Sequence, residues 1–273
     1  MYEEPYRWIE AVGNRRQYLD EQFKHGSPVA GVTYADGILL VTVSRGTPKL
    51  YEIYDRIALG GMGHPADLEK LRFSLLELAH TEGFNRSPSD VTGSRLVKYG
   101  LAPAIKQAFE EVYKAPFIVK ILLAELGTKP GRDGFLTINY DGTFEETTGC
   151  AVLAATPAVQ TRMVDYLKNG CGQGSVSLTQ ALDVALLAWA VGSLAQRADD
   201  AHEKEESQQD KPQSADVQEP APDALRTHLR ESMAGKTIEC VILDRTLPGS
   251  SKYRPLKPDE LATLLPPPLK QPV

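Results

Sequence analysis

The stretch VAGVTYADGILLVTV, Val29 to Val43, constrains the fold more than any other part of the chain. Two runs rich in β-branched residues flank Asp36-Gly37, the strongest short signal for a β-hairpin. An isolated hairpin is at best marginally stable in water, so further strands or helices must cover this one. KLYEIYDRIALGG predicts a second strand pair, turning at Asp55-Arg56. Then the period changes. Leu68, Leu71, Leu75 and Leu78 recur at helical spacing over 65–82. A second helix is expected over 91–113, bent at Pro103, whose ring removes one intrahelical hydrogen bond. Strands return with FIVKILLAEL, GFLTINY, a turn at Asp141-Gly142, and CAVLAA. Thr156-Pro157 opens a helix to about residue 168, and SLTQALDVALLAWAVGSLAQ reads as a largely buried one.

Ahead of the hairpin, Trp8, Val12, Leu19 and Phe23 fall at near-helical spacing with Arg15, Arg16 and Lys24 among them. A helix over 5–24 is expected, started by Pro5 and ended before Gly26. Its apolar stripe is expected to face something other than its own sheet. Residues 198–222 carry charge, Gln, Ser and Pro with almost nothing to bury, and read as a disordered insertion. Beyond them come a short helix over 223–233, the strand KTIECVILD, a short strand near 252–255, a helix over 258–265 and a mobile tail over 266–273. Runs of strands segregated from paired helices mean an α+β fold rather than a doubly wound parallel sheet.

With 273 residues, 42% of them apolar, the chain can bury a full core. A net charge of −6 argues against a protein that grips a nucleic-acid backbone. No uninterrupted apolar run approaches the roughly 18 residues of a membrane span. MYEEPYRW lacks the basic-then-apolar order of a secretion signal, so a cytoplasmic protein is expected. Cys150, Cys171 and Cys240 are widely spaced, which fits reduced thiols. The histidines His25, His64, His80, His202 and His228 have no ligand spacing, so no metal and no cofactor is expected.

No P-loop and no G-x-S-x-G occurs. GMGHPAD places glycines ahead of a helix but lacks a third glycine, and NGCGQGS reads as a turn between helices. Ser27 stands out because it precedes the first strand, where an N-terminal-nucleophile hydrolase would expose a freed nucleophile beside a lysine such as Lys49. That chemistry would require removal of a well-patterned helix. Cleavage before Thr47 would delete a central hairpin. The alternative is a passive fold in which these positions hold something else.

GSPVAGVTYADGILLV, PKLYEIYDRIALGGMGHPADLEKLR and INYDGTF, preceded by a helix, resemble an α-type proteasome subunit. YEIYDRI and DVTGSRL resemble the bacterial, actinobacterial-style members most closely. The likeness covers roughly 5–196 and resumes at 236–265. It implies a four-layer αββα sandwich of the N-terminal-nucleophile-hydrolase fold. It also implies seven-membered α rings on proteasome β subunits, and a passive role in protein degradation. Residues 1–24 would then be a gate segment with an α-ring helix, and 25–265 a single domain.

The resemblance assigns Lys49 to a pocket between subunits that pairs with the C-terminal carboxylate of an AAA-type proteasomal ATPase or other activator. Gly26, Gly63 and His64 match positions near that pocket, and Trp8, Val12, Leu19 and Phe23 would contact the neighbouring α subunit's helix. In catalytic β subunits a threonine stands where Ser27 does, and an acidic residue ends the first hairpin where this chain has Val43. The expectation is that Lys49 has lost its carboxylate neighbour and that no catalytic residue is present. The competing readings are a self-processed hydrolase using Ser27 and Lys49, and a proteasome-like ring without an ATPase.

Overall fold

A computed structural model describes residues 4–111, 113–172, 176–206 and 221–265, with only the backbone of 4–6 and 200–206. The first helix, α1 (Glu4–Phe23), leads into the hairpin β1 (Val29–Tyr34) and β2 (Gly37–Ser44). A second hairpin, β3 (Leu50–Tyr54) and β4 (Ile57–Gly63), precedes α2 (Pro65–Asn85). Next come α3 (Gly93–Leu96), a π-turn (Val97–Leu101) and α4 (Ala102–Glu110). Four strands follow: β5 (Val119–Glu125), β6 (Gly134–Ile138), β7 (Phe144–Thr147) and β8 (Cys150–Leu153). The helices α5 (Pro157–Cys171), α6 (Leu178–Glu206) and α7 (Pro222–Ser232) precede β9 (Thr237–Asp244), β10 (Tyr253–Pro255) and α8 (Pro258–Leu264).

The strands form two antiparallel five-stranded sheets, ordered β10-β9-β2-β1-β8 and β3-β4-β5-β6-β7. Alternation along the strands places three apolar layers. From β2, Ile38 and Leu40 enter the core between the sheets, where they meet Leu122 and Phe135. Leu39, Val41 and Val43 face the other way, onto Met163, Leu186, Trp189 and Leu229 of α5, α6 and α7. Ile121 and Leu123 of β5 pack under Leu71 and Leu75 of α2. Strands covered on both faces read as continuous apolar runs, which is why the central ones lack a polar alternation. The layering is αββα.

Local chemistry explains the departures from expectation. The first hairpin turns at Ala35-Asp36, because Tyr34 already pairs with Gly37. Gly37 is required for a different reason: a Cβ there would stand 1.8 Å from the Leu243 carbonyl oxygen of β9. The helix expected over 91–113 is broken. Ala102 N–H bonds to Val97 O, five residues back, so a π-turn takes up the distortion just before Pro103.

The helix α6 runs on to Glu206 and α7 starts at Pro222, so the segment expected to be disordered over 198–222 is helical at both ends. Residues 207–220 lie outside the described residues, as do the tail 266–273 and the first three residues of the expected gate. By length and composition α6 could cross a membrane over Leu178–Asp199. Ala181, Leu182, Ala185, Leu186 and Trp189 are instead buried against the first sheet.

Candidate functional site

Lys49 immediately precedes β3. Leu50 pairs with Gly60, and Gly61 N–H donates to Lys49 O at 2.9 Å, so Lys49 sits across from the end of β4. Gly63 closes β4 with φ +129°, and a Cβ there would lie 2.1 Å from Ile118 O, so only glycine fits. A Cβ at Gly26 would lie 2.3 Å from Met62 Cε, which places the segment before β1 against the same strand end. The structure therefore brings Lys49, Gly26 and Gly63 to one end of the paired sheets. His64 follows directly but does a different job. Its Nδ1 accepts Ala66 N–H at 3.3 Å as the N-cap of α2. Its ring lines a hollow of about 660 Å³ with Asp67, Lys70, Gln107 and Phe117.

The expectation that Lys49 has lost its carboxylate neighbour is wrong. Val43 does stand at the end of the first hairpin, buried under the helices. The carboxylate comes instead from β9, where Glu239 pairs in register with Thr42. Glu239 Oε1 accepts Lys49 N–H at 2.9 Å and Leu50 N–H at 2.7 Å, and Oε2 lies 3.0 Å from Lys49 N. Burial pushes the Glu239 carboxyl above its usual range, against the pull of those two amides and of the Lys49 charge. Burial pushes the Lys49 ammonium below its usual range; Glu239 works against that shift and Lys236 adds to it. Lys49 is half-buried, not a solvated strand end. Among the described residues its Nζ has no hydrogen-bond or ion-pair partner, because the nearby carboxylate is engaged by backbone amides.

Ser27 is engaged on the helix side of its sheet. Its Oγ donates to Val43 O at 2.6 Å and accepts Trp189 Nε1–H at 3.0 Å. Thr42 Oγ1 lies 3.5 Å away and itself donates to Pro28 O. The hydroxyl thus ties β2 to α6. Lys49 faces Glu239, and no described hydrogen bond joins it to Ser27.

The apolar stripe of α1 divides in two. Leu19 and Phe23 are 0% exposed in the core between this chain's own sheets, so neither can face a neighbour, and the expectation that they do is corrected. Val12 packs at the edge of that core. Trp8 remains 47% exposed, above a small hollow shared with Lys106 and Phe109.

What fixes α1 was not visible as a pattern. The Arg15 guanidinium donates to the carbonyls of Ala108, Phe109 and Glu111 at 2.9, 2.9 and 3.1 Å, capping the C-terminus of α4. Tyr140 Oη donates to Asp20 at 2.7 Å, and its ring stacks on Phe23 with centroids 5.8 Å apart. Beneath them Lys120, 9% exposed, donates to Ala154 O and Ala155 O at 2.9 and 2.8 Å. Its Nζ lies 4.9 Å from the Phe23 ring centre, and burial pushes its ammonium down to about 8. A lysine inside the apolar run VKILLA is the one cue the sequence offered.

No protein-family model matches the chain. It is similar to curated proteins named proteasome subunit alpha. One from Nocardioides sp. is 34% identical over 179 residues, covering 63% of this chain and 67% of that protein. One from Frankia casuarinae is 32% identical over 184 residues, 66% of this chain and 74% of the relative. A third, from Geodermatophilus obscurus, is 29% identical over 178 residues, 64% of this chain and 60% of the relative. Identity of this order over 63–66% of this chain and 67–74% of the first two relatives is decisive where single short motifs are not: the chain belongs to the proteasome subunit alpha family.

Proposed function

We propose that this chain is a non-catalytic, ring-forming subunit of a bacterial 20S proteasome. In this reading about seven copies form an outer ring on proteasome β subunits, the residues ahead of α1 gate substrate entry, and Lys49 receives the C-terminal carboxylate of a regulatory ATPase. The proposal rests first on the half-buried Lys49 ammonium, which makes no hydrogen bond or ion pair among the described residues and sits at the strand end shared with Gly26 and Gly63. A flexible ammonium with open donors suits a terminal carboxylate, and ionised partners make hydrogen bonds about twice as strong as neutral ones.

A self-processed hydrolase is disfavoured by two observations. Its nucleophile would need a free α-amine at Ser27 as general base, whereas Ser27 lies inside the chain, four residues after the fully buried Phe23. Removing residues 1–26 would also strip Leu19 and Phe23 from the core between the sheets. Intact-protein mass together with labelling by an electrophilic active-site probe tests the reading. The expected result is a chain that keeps residues 1–26 and an unlabelled Ser27. A mature chain beginning at Ser27, with label on that residue, overturns it.

A further inference from the structure

A lysine that receives a carboxylate does not explain why an acidic side chain of the same chain stands beside it. Glu239 is on β9, and the strand alternation that sends Cys240 and Ile242 under the helices sends Glu239 toward β3. There its oxygens accept the backbone amides of Lys49 and Leu50 at 2.7–3.0 Å rather than the ammonium. The carboxylate is therefore fixed within Coulombic range of Lys49 without occupying its donors. We infer that Glu239 is a built-in counter-carboxylate of the Lys49 pocket that sets how tightly an incoming carboxylate is held. The inference rests on Lys49 being the docking residue.

Two consequences follow from the charges. Ionised Glu239 offsets one positive charge at a site that Lys49 and the nearby Lys236 make positive, so an incoming carboxylate gains the ammonium but meets a like charge. The occupant is then held weakly by its carboxylate alone and must add contacts of its own, which favours a specific C-terminus over acids in general. Glu239 also favours the charged form of Lys49 against burial and against Lys236, so the same residue that weakens binding extends its pH range. Tyr51, Tyr253 and Cys240 also sense Glu239, and burial keeps both phenols and the thiol protonated well above neutral pH.

Glu239→Gln isolates the charge. Oε1 accepts both amides, so the glutamine carbonyl can keep those two bonds while only the second Lys49 N–H contact, to Oε2, is given up. The probe is a synthetic peptide with the C-terminal sequence of the regulatory ATPase under test, ending in a free carboxylate or a carboxamide, binding to assembled particles. Glu239→Gln is expected to bind the carboxylate form about threefold to tenfold more tightly at neutral pH, as loss of one nearby like charge in a half-exposed site predicts. As pH is raised, the variant is also expected to lose its preference for the carboxylate form at a lower pH than the parent does, and to bind the carboxamide form as the parent does. General damage to the pocket would weaken binding at every pH.

Unchanged or weaker binding at neutral pH, where Lys49→Ala does abolish the carboxylate preference, overturns the role of Glu239 and leaves docking intact. If Lys49→Ala changes nothing, docking at Lys49 fails. The pH midpoint of Lys49 acylation by an activated ester, read by mass spectrometry, then decides the electrostatic part separately. That midpoint must fall in Glu239→Gln, and an unmoved midpoint overturns the inference.

Discussion

Tyr140 Oη donates to Asp20 Oδ1 at 2.7 Å, and through that bond the turn after β6 holds the helix α1. The stacking of Tyr140 on Phe23 adds an apolar contact one turn further along. Tyr140→Phe keeps the ring and removes the bond, leaving Asp20 beside Lys120 without its donor. A hydrogen bond to a charged group is worth about 1.5–3 kcal/mol, so the denaturation midpoint should fall and amide exchange should rise selectively in α1. Protection lost uniformly over the chain would mean that α1 is not held locally by this residue.

The divided face of α1 predicts opposite phenotypes from its two ends. Leu19→Ala opens a cavity in the core between the sheets and should cost about 2–5 kcal/mol of stability in the isolated chain. Trp8→Glu should leave the folding midpoint within about 0.5 kcal/mol, since it alters a half-exposed position, yet reduce assembly into rings. Sedimentation with and without β subunits, set beside chemical denaturation, separates the two. Trp8→Glu rings as abundant as the parent's would remove Trp8 from the subunit contact.

Ser27→Ala should destabilise without touching catalysis. It leaves the Trp189 indole N–H without its acceptor in a region where Trp189 is fully packed. An unsatisfied buried donor costs about 1–3 kcal/mol. Peptide hydrolysis by particles that do assemble should stay at the parent level, because the β subunits would supply the nucleophile. Hydrolysis that disappears from correctly assembled Ser27→Ala particles would point to a catalytic hydroxyl.

Lys120 makes stability depend on alkaline pH. Its folded-state value, about 8, lies below the ordinary 10.5, so between those values the unfolded chain binds the extra proton. The cost of burying the charge is fully present below about 8 and is relieved as pH rises toward 10.5. Stability of the parent relative to Lys120→Met should therefore increase across that window. Taking the difference between the two proteins removes the shared titration of the tyrosines. A flat difference would mean that Lys120 is solvated in the folded state.

The layering was legible because the helices show a period of about 3.6 residues, the strands read as short β-branched runs between turn signals, and Val29–Val43 needs cover on both faces. The site was legible only as a resemblance. Lys49 is one lysine at a strand start, and nothing local in the sequence marks Glu239, 190 positions away, as its neighbour. That pairing depends on β9 adding beside β2, which brings Glu239 opposite Thr42. The face of α1 was misjudged for a similar reason. A helical stripe shows which residues avoid water but not which body covers them. Here Arg15 on the end of α4 and Tyr140 on Asp20 draw the C-terminal half of the helix into its own chain.

The most direct test of the account is Lys49→Ala in assembled particles, with peptide hydrolysis measured in the presence and absence of the regulatory ATPase. Loss of one charge-assisted bond of about 1.5–3 kcal/mol corresponds to a roughly ten- to hundredfold weaker association. The account predicts that the particles assemble, hydrolyse small peptides at the basal parent rate, and lose stimulation by the ATPase. Basal hydrolysis abolished in intact Lys49→Ala particles, or ATPase stimulation left at the parent level, would contradict it.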